Sequence, residues 1–155
     1  MWIGAVNMSF MMVKKEFKLI GLKGSGEFVN FGNEVPLRAK QLLSRSNEIQ
    51  NSGETEIALF EPKKDEEHRI GHYYVGVIVS GKLNEVPTGM DYIEINKSYI
   101  TTRGNISNLG ELHLNLMNWA EEQGYQRDLD SYIIETYHPM EEGGEEVQIY
   151  LPIQA

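Results

Sequence analysis

One carboxylate and one phenol stand at alternate positions of a strand-like segment near the end of the sequence. Residues 132–139 read Tyr-Ile-Ile-Glu-Thr-Tyr-His-Pro, and the β-branched and aromatic side chains predict a strand. Because side chains alternate across a strand, Ile133, Glu135 and Tyr137 share one face. If protein covers that face, Glu135 needs a partner, since an unpaired buried charge is costly. A cationic ligand is one such partner; an exposed glutamate, or one paired with Lys or Arg, is the alternative.

Aromatic residues elsewhere in the sequence can complete a binding site for a cation. Ring faces attract cations, and a carboxylate neutralises them where water is excluded. Six residues are candidates for the walls of such a site: Phe60, Tyr73, Tyr74, Trp119, Tyr137 and Tyr150. Each of them also suits a hydrophobic core, so residue type alone does not separate wall from core.

The same residues permit a catalytic interpretation. A carboxylate that has lost water can act as a general base on a water molecule, with a phenol as hydrogen-bond donor. Glu135 with Tyr137, or with Tyr73, would form that pair in a hydrolase. This catalytic set is small, so we interpret the site first as one for binding and keep hydrolysis as the alternative.

The four histidines of the sequence indicate chemistry less strongly than Glu135 and the aromatic residues do. The sequence has no cysteine, no His-Glu-x-x-His and no Gly-x-Ser-x-Gly, so we predict no metal site and no cofactor. A turn separates His68 from His72, which therefore need not converge on a metal. His138 precedes a solvated acidic turn. His113 lies between apolar positions of a predicted helix, and we expect it to flank that helix.

The composition limits the possible partners. A chain of 155 residues with 41% hydrophobic residues suffices for one domain, which we place at residues 15–155, after a disordered N-terminal extension at residues 1–14. The formal charge of −9 repels phosphate backbones, so we expect no nucleic-acid partner. No segment approaches the roughly 20 apolar residues of a membrane span, and the N-terminus lacks a secretory charge pattern. We therefore expect no membrane partner and a cytoplasmic location.

The sequence predicts seven strands and two helices. The predicted strands are residues 16–22, 56–61, 70–80, 90–95, 99–102, 132–139 and 147–153. Two amphipathic helices are predicted, one capped by Asn33 and ended by Gly53, the other capped by Ser107 and ended by Gly124. Residues 23–26 have no phosphate-binding spacing and are expected to connect the first strand to the first helix.

The second half of the chain repeats the first. Residues 16–80 and residues 97–153 both predict a strand, a helix, a strand, a turn and a closing strand. Such duplicated β-α-β-β modules predict an α+β fold, with two helices over antiparallel sheet and a central cleft where the halves meet. Alignment of the halves sets Ala58 against Glu135, so the repeat is symmetric in shape and not in chemistry.

The order and spacing of several motifs resemble the GyrI-like (gyrase-inhibitor-like) effector-binding domain. The motifs are Tyr73-x-x-Gly76-Val77, Val86-Pro87-x-Gly89-Met90, Trp119, Glu135-x-Tyr137 and Ile149-Tyr150-Leu151-Pro152-Ile153. This family occurs in multidrug-responsive and AraC-type transcription regulators and as stand-alone proteins. The resemblance implies two β-α-β-β modules around an aromatic ligand cleft, with Glu135 at its floor.

The resemblance also orders the functional hypotheses. The first is a stand-alone effector-binding domain for amphipathic, cationic small molecules, acting in regulation through a protein partner or by sequestration. The second is a hydrolase of reactive xenobiotics, because some stand-alone members are understood to use such a glutamate. The third is an acidic protein-interaction module of the kind that gyrase-inhibiting members suggest. Its residues would be Glu141, Glu142, Glu145 and Glu146.

Overall fold

Six strands and two helices form the part of the chain that the structure describes. The structure is a computed structural model, and it describes residues 9–49, 52–81 and 85–154. The strands are β1 (Met11–Glu27), β2 (Ser52–Phe60), β3 (Ile70–Val79), β4 (Asp91–Asn105), β5 (Ile133–Pro139) and β6 (Glu145–Pro152). The helices are α1 (Phe31–Leu43) and α2 (Leu109–Gln123). Within the described ranges, no helix has the length and apolar content needed to cross a membrane.

The six strands close into an antiparallel barrel in the order β1-β3-β2-β5-β6-β4. Strands β1 to β3 with α1 form one β-α-β-β module, and strands β4 to β6 with α2 form the other. The two modules meet along two seams, β2 against β5 and β1 against β4. The predicted α+β fold with duplicated modules is therefore confirmed.

Side-chain alternation along the strands divides the buried residues into three clusters. One cluster fills the barrel interior: Phe17, Leu19, Ile57, Leu59, Tyr99, Ile134 and Tyr150. A second lies under α1 and includes Tyr73, Val75, Val77 and Val79 of β3. A third lies under α2 and includes Val147, Ile149 and Leu151 of β6. Each helix thus covers the outer face of its own module, because burial of apolar area there stabilises the docked helix.

Strand β1 is longer at both ends than the sequence predicts. Residues 11–14, which we assigned to the N-terminal extension, pair with β4. Residues 1–8 lie outside the described residues. Residues 23–26, predicted as a connection, continue the strand opposite β3. Glycine makes this possible, because a side chain at Gly24 would collide with the ring of Tyr73.

The boundaries of three other elements test the predictions. Helix α1 begins at Phe31, before Asn33, and ends well short of Gly53, which lies in β2. Strand β4 is a single strand where two were predicted, because its ladder with β1 continues through the polar residues 96–98. Helix α2 ends at Gly124, as predicted; this glycine adopts a left-handed conformation with φ of 81°.

Candidate functional site

A cavity of about 630 Å³ lies between the two helices, over the seam of β2 and β5. Residues of both modules line it, and most of them are apolar. The apolar residues of the lining include Phe31, Val35, Pro36, Ala39, Leu43, Ala58, Phe60, Ile106, Leu109 and Ile133. The cleft expected where the halves meet is therefore present, and its size suits a small organic molecule.

The floor of this cavity is the predicted face of β5. Ile133, Glu135 and Tyr137 all line the cavity, as strand alternation predicts. Ala58 of β2 lies directly opposite Glu135 in the ladder, and Ile133 lies opposite Phe60. Because Ala58 is small, space remains above the seam beside the carboxylate.

Glu135 is buried and has two hydrogen-bond partners. Its exposed fraction is 6%. The Tyr137 hydroxyl donates to Oε1 at 2.6 Å. On the other side, His113 Nε2 lies 2.7 Å from Oε2. An ionised carboxylate only accepts hydrogen bonds, so the imidazole Nε2 carries the hydrogen. Both partners fix the orientation of the carboxylate toward the cavity.

Tyr137 is a neutral donor over a wide pH range. Burial raises the pKa of its phenol well above the usual value, and the negative charge of Glu135, its hydrogen bond to Glu135, and the charges of Glu145 and Glu56 add to that effect. The phenol therefore keeps its proton and its hydrogen bond to Glu135 at neutral pH.

Two further carboxylates line the cavity, near the Tyr137 end of the floor. Glu56 of β2 lies opposite Tyr137, and Glu145 lies at the start of β6. Desolvation by burial raises the pKa of Glu56, and the charge of Glu145 raises it further. Among the residues described as lining the cavity, the basic ones are Lys40 and His113. Three carboxyl groups and one lysine therefore lie among the described residues of the lining.

Two of the six predicted aromatic wall residues line the cavity. Tyr137 and Phe60 are on its surface. Tyr73 is fully buried beneath the residues that line the cavity. Its ring centroid lies 5.1 Å from that of Phe31, which does line the cavity. Tyr74 points the opposite way along β3, into the barrel, where it contacts Tyr132. Alternation along β3 cannot place both tyrosines on one face, so Tyr74 is not a wall residue of this cavity.

The other two predicted wall residues also lie elsewhere. Trp119 is on a different side of α2 from the cavity. There its ring centroid lies 5.6 Å from that of Phe10 and 5.7 Å from that of Tyr125. Tyr150 points into the barrel, where its ring centroid lies 5.0 Å from that of Phe17. Its neighbour Ile149 takes the face under α2. Helix rotation therefore places Trp119 among the partly buried residues beside the cluster under α2, and strand alternation places Tyr150 in the barrel interior.

Sequence reasoning missed five residues of the lining that carry an ionisable group or a ring: Phe31, Lys40, Glu56, His113 and Glu145. His113 was expected to flank its helix, and instead it contacts Glu135. Phe31 was not considered because the helix was predicted to begin later. Glu56 and Glu145 were interpreted as parts of a strand and of an acidic turn. One signal was available for His113: it follows Leu109 by four residues, which places both on one side of a helix.

Other predicted clusters remain separate from this site. His68 and His72 both contact Glu61, at 3.2 and 3.0 Å. Within the described residues, no group of three or more histidine or acidic side chains is arranged to hold a metal ion. The acidic set of the interaction hypothesis divides. Glu141 and Glu142 are exposed, Glu145 lines the cavity, and Glu146 pairs with Arg103 at 3.0 Å.

Comparisons with solved structures place the fold among known proteins. SAV2435, solved bound to tetraphenylphosphonium, is similar with a TM-score of 0.70 and 10% identity, covering 95% of this chain and 94% of that one. The C-terminal domain of EcmrR is similar with a TM-score of 0.64 and 14% identity, and the match covers 95% of this chain and 96% of that one. A hydrolase encoded by lin2189 from Listeria innocua is similar with a TM-score of 0.56 and 11% identity, and the match covers 96% of this chain and 92% of that one. At these identities, the similarity establishes the fold.

The sequence itself was compared with curated proteins and with family models. No curated protein matches it. The model of the GyrI-like small molecule binding domain matches residues 9–154, nearly the whole chain, and so confirms the resemblance found in the motifs. This chain therefore belongs to the GyrI-like family of small-molecule-binding domains.

Proposed function

We propose that the cavity binds amphipathic, cationic small molecules and that Glu135 supplies the anionic group. One observation carries this proposal: a carboxylate that is 6% exposed lies at the floor of a mainly apolar cavity, held by His113 and Tyr137. Within the described residues, the ion-pair partner of Glu135 is His113 and not a lysine or an arginine. A buried negative charge with such a partner set favours entry of a cation. The charges of Glu56 and Glu145 act in the same direction.

The apolar walls explain why the cation should be amphipathic. Phe31 and Phe60 present rings 6.3 Å apart on one side, and Tyr137 lies at the floor. Ring faces attract cations, and the aliphatic side chains of the cavity favour apolar substituents. SAV2435, whose fold is similar, was solved with tetraphenylphosphonium, a cation of this class. A cytoplasmic location remains part of this proposal and is supported by the absence of cysteine.

The proposal is tested by calorimetric titration with tetraphenylphosphonium and with triphenylphosphine oxide, a neutral molecule of related shape. We expect the wild type to prefer the cation, and Glu135→Gln to weaken cation binding by about 100-fold with little effect on the neutral molecule. Glu141→Gln, in the exposed turn, is the control and should bind as the wild type does. Equal cation affinity in wild type and folded Glu135→Gln would contradict the proposal.

Hydrolysis in the same cavity is the second candidate. It is favoured by the contact between a buried carboxylate and a neutral phenol, and a protein of similar fold is described as a hydrolase. Glu135 would accept a proton from water as the water attacks an electrophilic carbon, and it would then pass that proton to the leaving atom, with Tyr137 as hydrogen-bond donor. Incubation with a panel of strained or activated xenobiotics tests this reaction. Product formation that Glu135→Gln abolishes would establish it, and absence of turnover would leave binding as the function.

A further inference from the structure

His113 occupies an oxygen of Glu135 that a bound cation would otherwise approach. The imidazole lies on the cavity side of α2, and its side chain is 24% exposed, whereas that of Glu135 is 8% exposed. This exposure lets the ring exchange protons with solvent through the cavity. His113 is thus positioned to change its charge at the point where the ligand charge is expected.

The titratable groups that line the cavity with His113 come from three strands and from the other helix. They are Glu135 and Tyr137 on β5, Glu56 on β2, Glu145 on β6 and Lys40 on α1. Tyr137 keeps its proton because burial raises its pKa. Burial, and then the charge of Glu145, raises the pKa of Glu56. Among these groups, histidine is the residue type that ordinarily changes charge between pH 5 and 8.

We propose that His113 is a specificity-determining residue that controls cation binding through its own protonation. This inference rests on the proposed function of the cavity. Neutral His113 donates a hydrogen bond and leaves Glu135 with its negative charge. Protonated His113 cancels that charge and repels a second cation nearby, so it competes with the ligand for Glu135. The affinity for cations should therefore fall as the pH decreases.

The first module shows that the fold itself does not require an ionisable group at this position. His113 is the fifth residue of α2, and Val35 is the fifth residue of α1. Both line the cavity, from opposite sides. Ala58, the counterpart of Glu135 in the repeat, likewise has no charge. The histidine and the glutamate therefore occur together in one module and are both replaced by apolar residues in the other.

The test measures tetraphenylphosphonium binding between pH 8 and pH 5, because the charge of this probe does not change with pH. We expect the wild type to lose about tenfold in affinity over this range. His113→Gln retains a hydrogen-bond donor and cannot become charged. It should lose less than about threefold, from protonation of Glu56, whose pKa is raised by burial. Triphenylphosphine oxide should bind equally well at both pH values.

Proton release provides a second measurement that needs no variant. If protonated His113 competes with the cation, binding at pH 6 must displace protons, because coupling between two ligands is reciprocal. Calorimetry in two buffers with different ionisation enthalpies measures that release. Wild-type protein that binds the cation without releasing protons would overturn the role of His113, even if His113→Gln does not fold.

The outcomes separate this inference from the proposed function. Cation binding with the same pH profile in wild type and His113→Gln overturns the role of His113 and leaves the binding function intact. Absence of cation binding at every pH overturns both. A profile that is steep in the wild type and shallow in His113→Gln, with greater proton release in the wild type than in the variant, supports the inference.

Discussion

The two modules of the barrel have the same shape and carry different chemistry. At equivalent positions, the first module has Val35 on its helix and Ala58 on its seam strand, and the second has His113 and Glu135. In both modules, these residues line one shared cavity. The apolar module therefore provides volume and walls, and the polar module provides a fixed charge.

This division shows how a duplicated fold can form an asymmetric site. Ala58 and Glu135 are direct neighbours across the seam, so the approximate twofold axis of the barrel passes close to the charge. A second carboxylate at the symmetric position would face the first at short distance and raise the cost of ionisation. A small residue opposite Glu135 avoids that repulsion and leaves space for a ligand. Three substitutions test this comparison.

The largest effect is expected from Ala58→Glu, which makes the modules alike in charge. At pH 7, we expect it to lower the free energy of unfolding by about 3 kcal/mol, since two buried carboxylates would lie directly opposite each other. The pKa of the new carboxyl should be raised in the folded state. The loss of stability should then grow as the pH rises through about 4 and should be smaller in acid.

Urea denaturation at pH 4 and pH 7 measures this effect. Ala58→Gln is the matched control, because it has the same size without the charge. The two variants should differ at pH 7 and converge at pH 4. Equal stability of the two variants at pH 7 would show that repulsion between carboxylates across the seam does not explain why a small residue lies opposite Glu135.

An intermediate effect is expected from Tyr137→Phe, which gives β5 a phenylalanine like Phe60 on β2. Removing the hydroxyl leaves Oε1 of the buried Glu135 without its 2.6 Å donor, at a cost of about 2 kcal/mol in unfolding free energy. Because the phenol pKa is raised, the neutral donor persists, and the cost should be constant between pH 7 and 9. Denaturant unfolding measures it. Tyr125→Phe, remote from the cavity, is the control, and an equal loss in both would show that the hydrogen bond does not stabilise the fold.

The smallest effect is expected from Glu145→Gln. Burial and the charge of Glu145 both raise the pKa of Glu56, so ionised Glu56 is disfavoured in the folded state. Removing the second charge should stabilise the protein by about 0.5 kcal/mol at pH 7, after allowance for solvent screening. The gain should vanish below about pH 4, where Glu56 is protonated in both states. Thermal unfolding measures it, with Glu142→Gln, in the exposed turn, as the control. A gain that is the same at pH 4 and pH 7 would contradict electrostatic coupling to Glu56.

Much of the fold and one face of the site follow from local sequence patterns. The repeat of strand, helix, strand and strand predicted two modules, and alternation within β5 placed Ile133, Glu135 and Tyr137 together. Both predictions depend on periodicity alone, which local backbone geometry determines. The aromatic walls depended on more than periodicity. Trp119 and Tyr150 have suitable side chains, but their orientation relative to the cavity depends on how α2 and β6 pack.

The order of residues along the chain is enough to predict that a carboxylate and a phenol share one face of a strand within a duplicated domain. The packing of the strands and helices in three dimensions covers this face, sets Ala58 opposite the carboxylate, and brings His113 to complete its hydrogen bonds. His113 and Glu135 are 22 residues apart in the chain. Their contact depends on the rotation and position of α2 over the barrel. The apolar residues under α2 determine how the helix packs on the barrel. The sequence around His113 or around Glu135 does not by itself predict that packing.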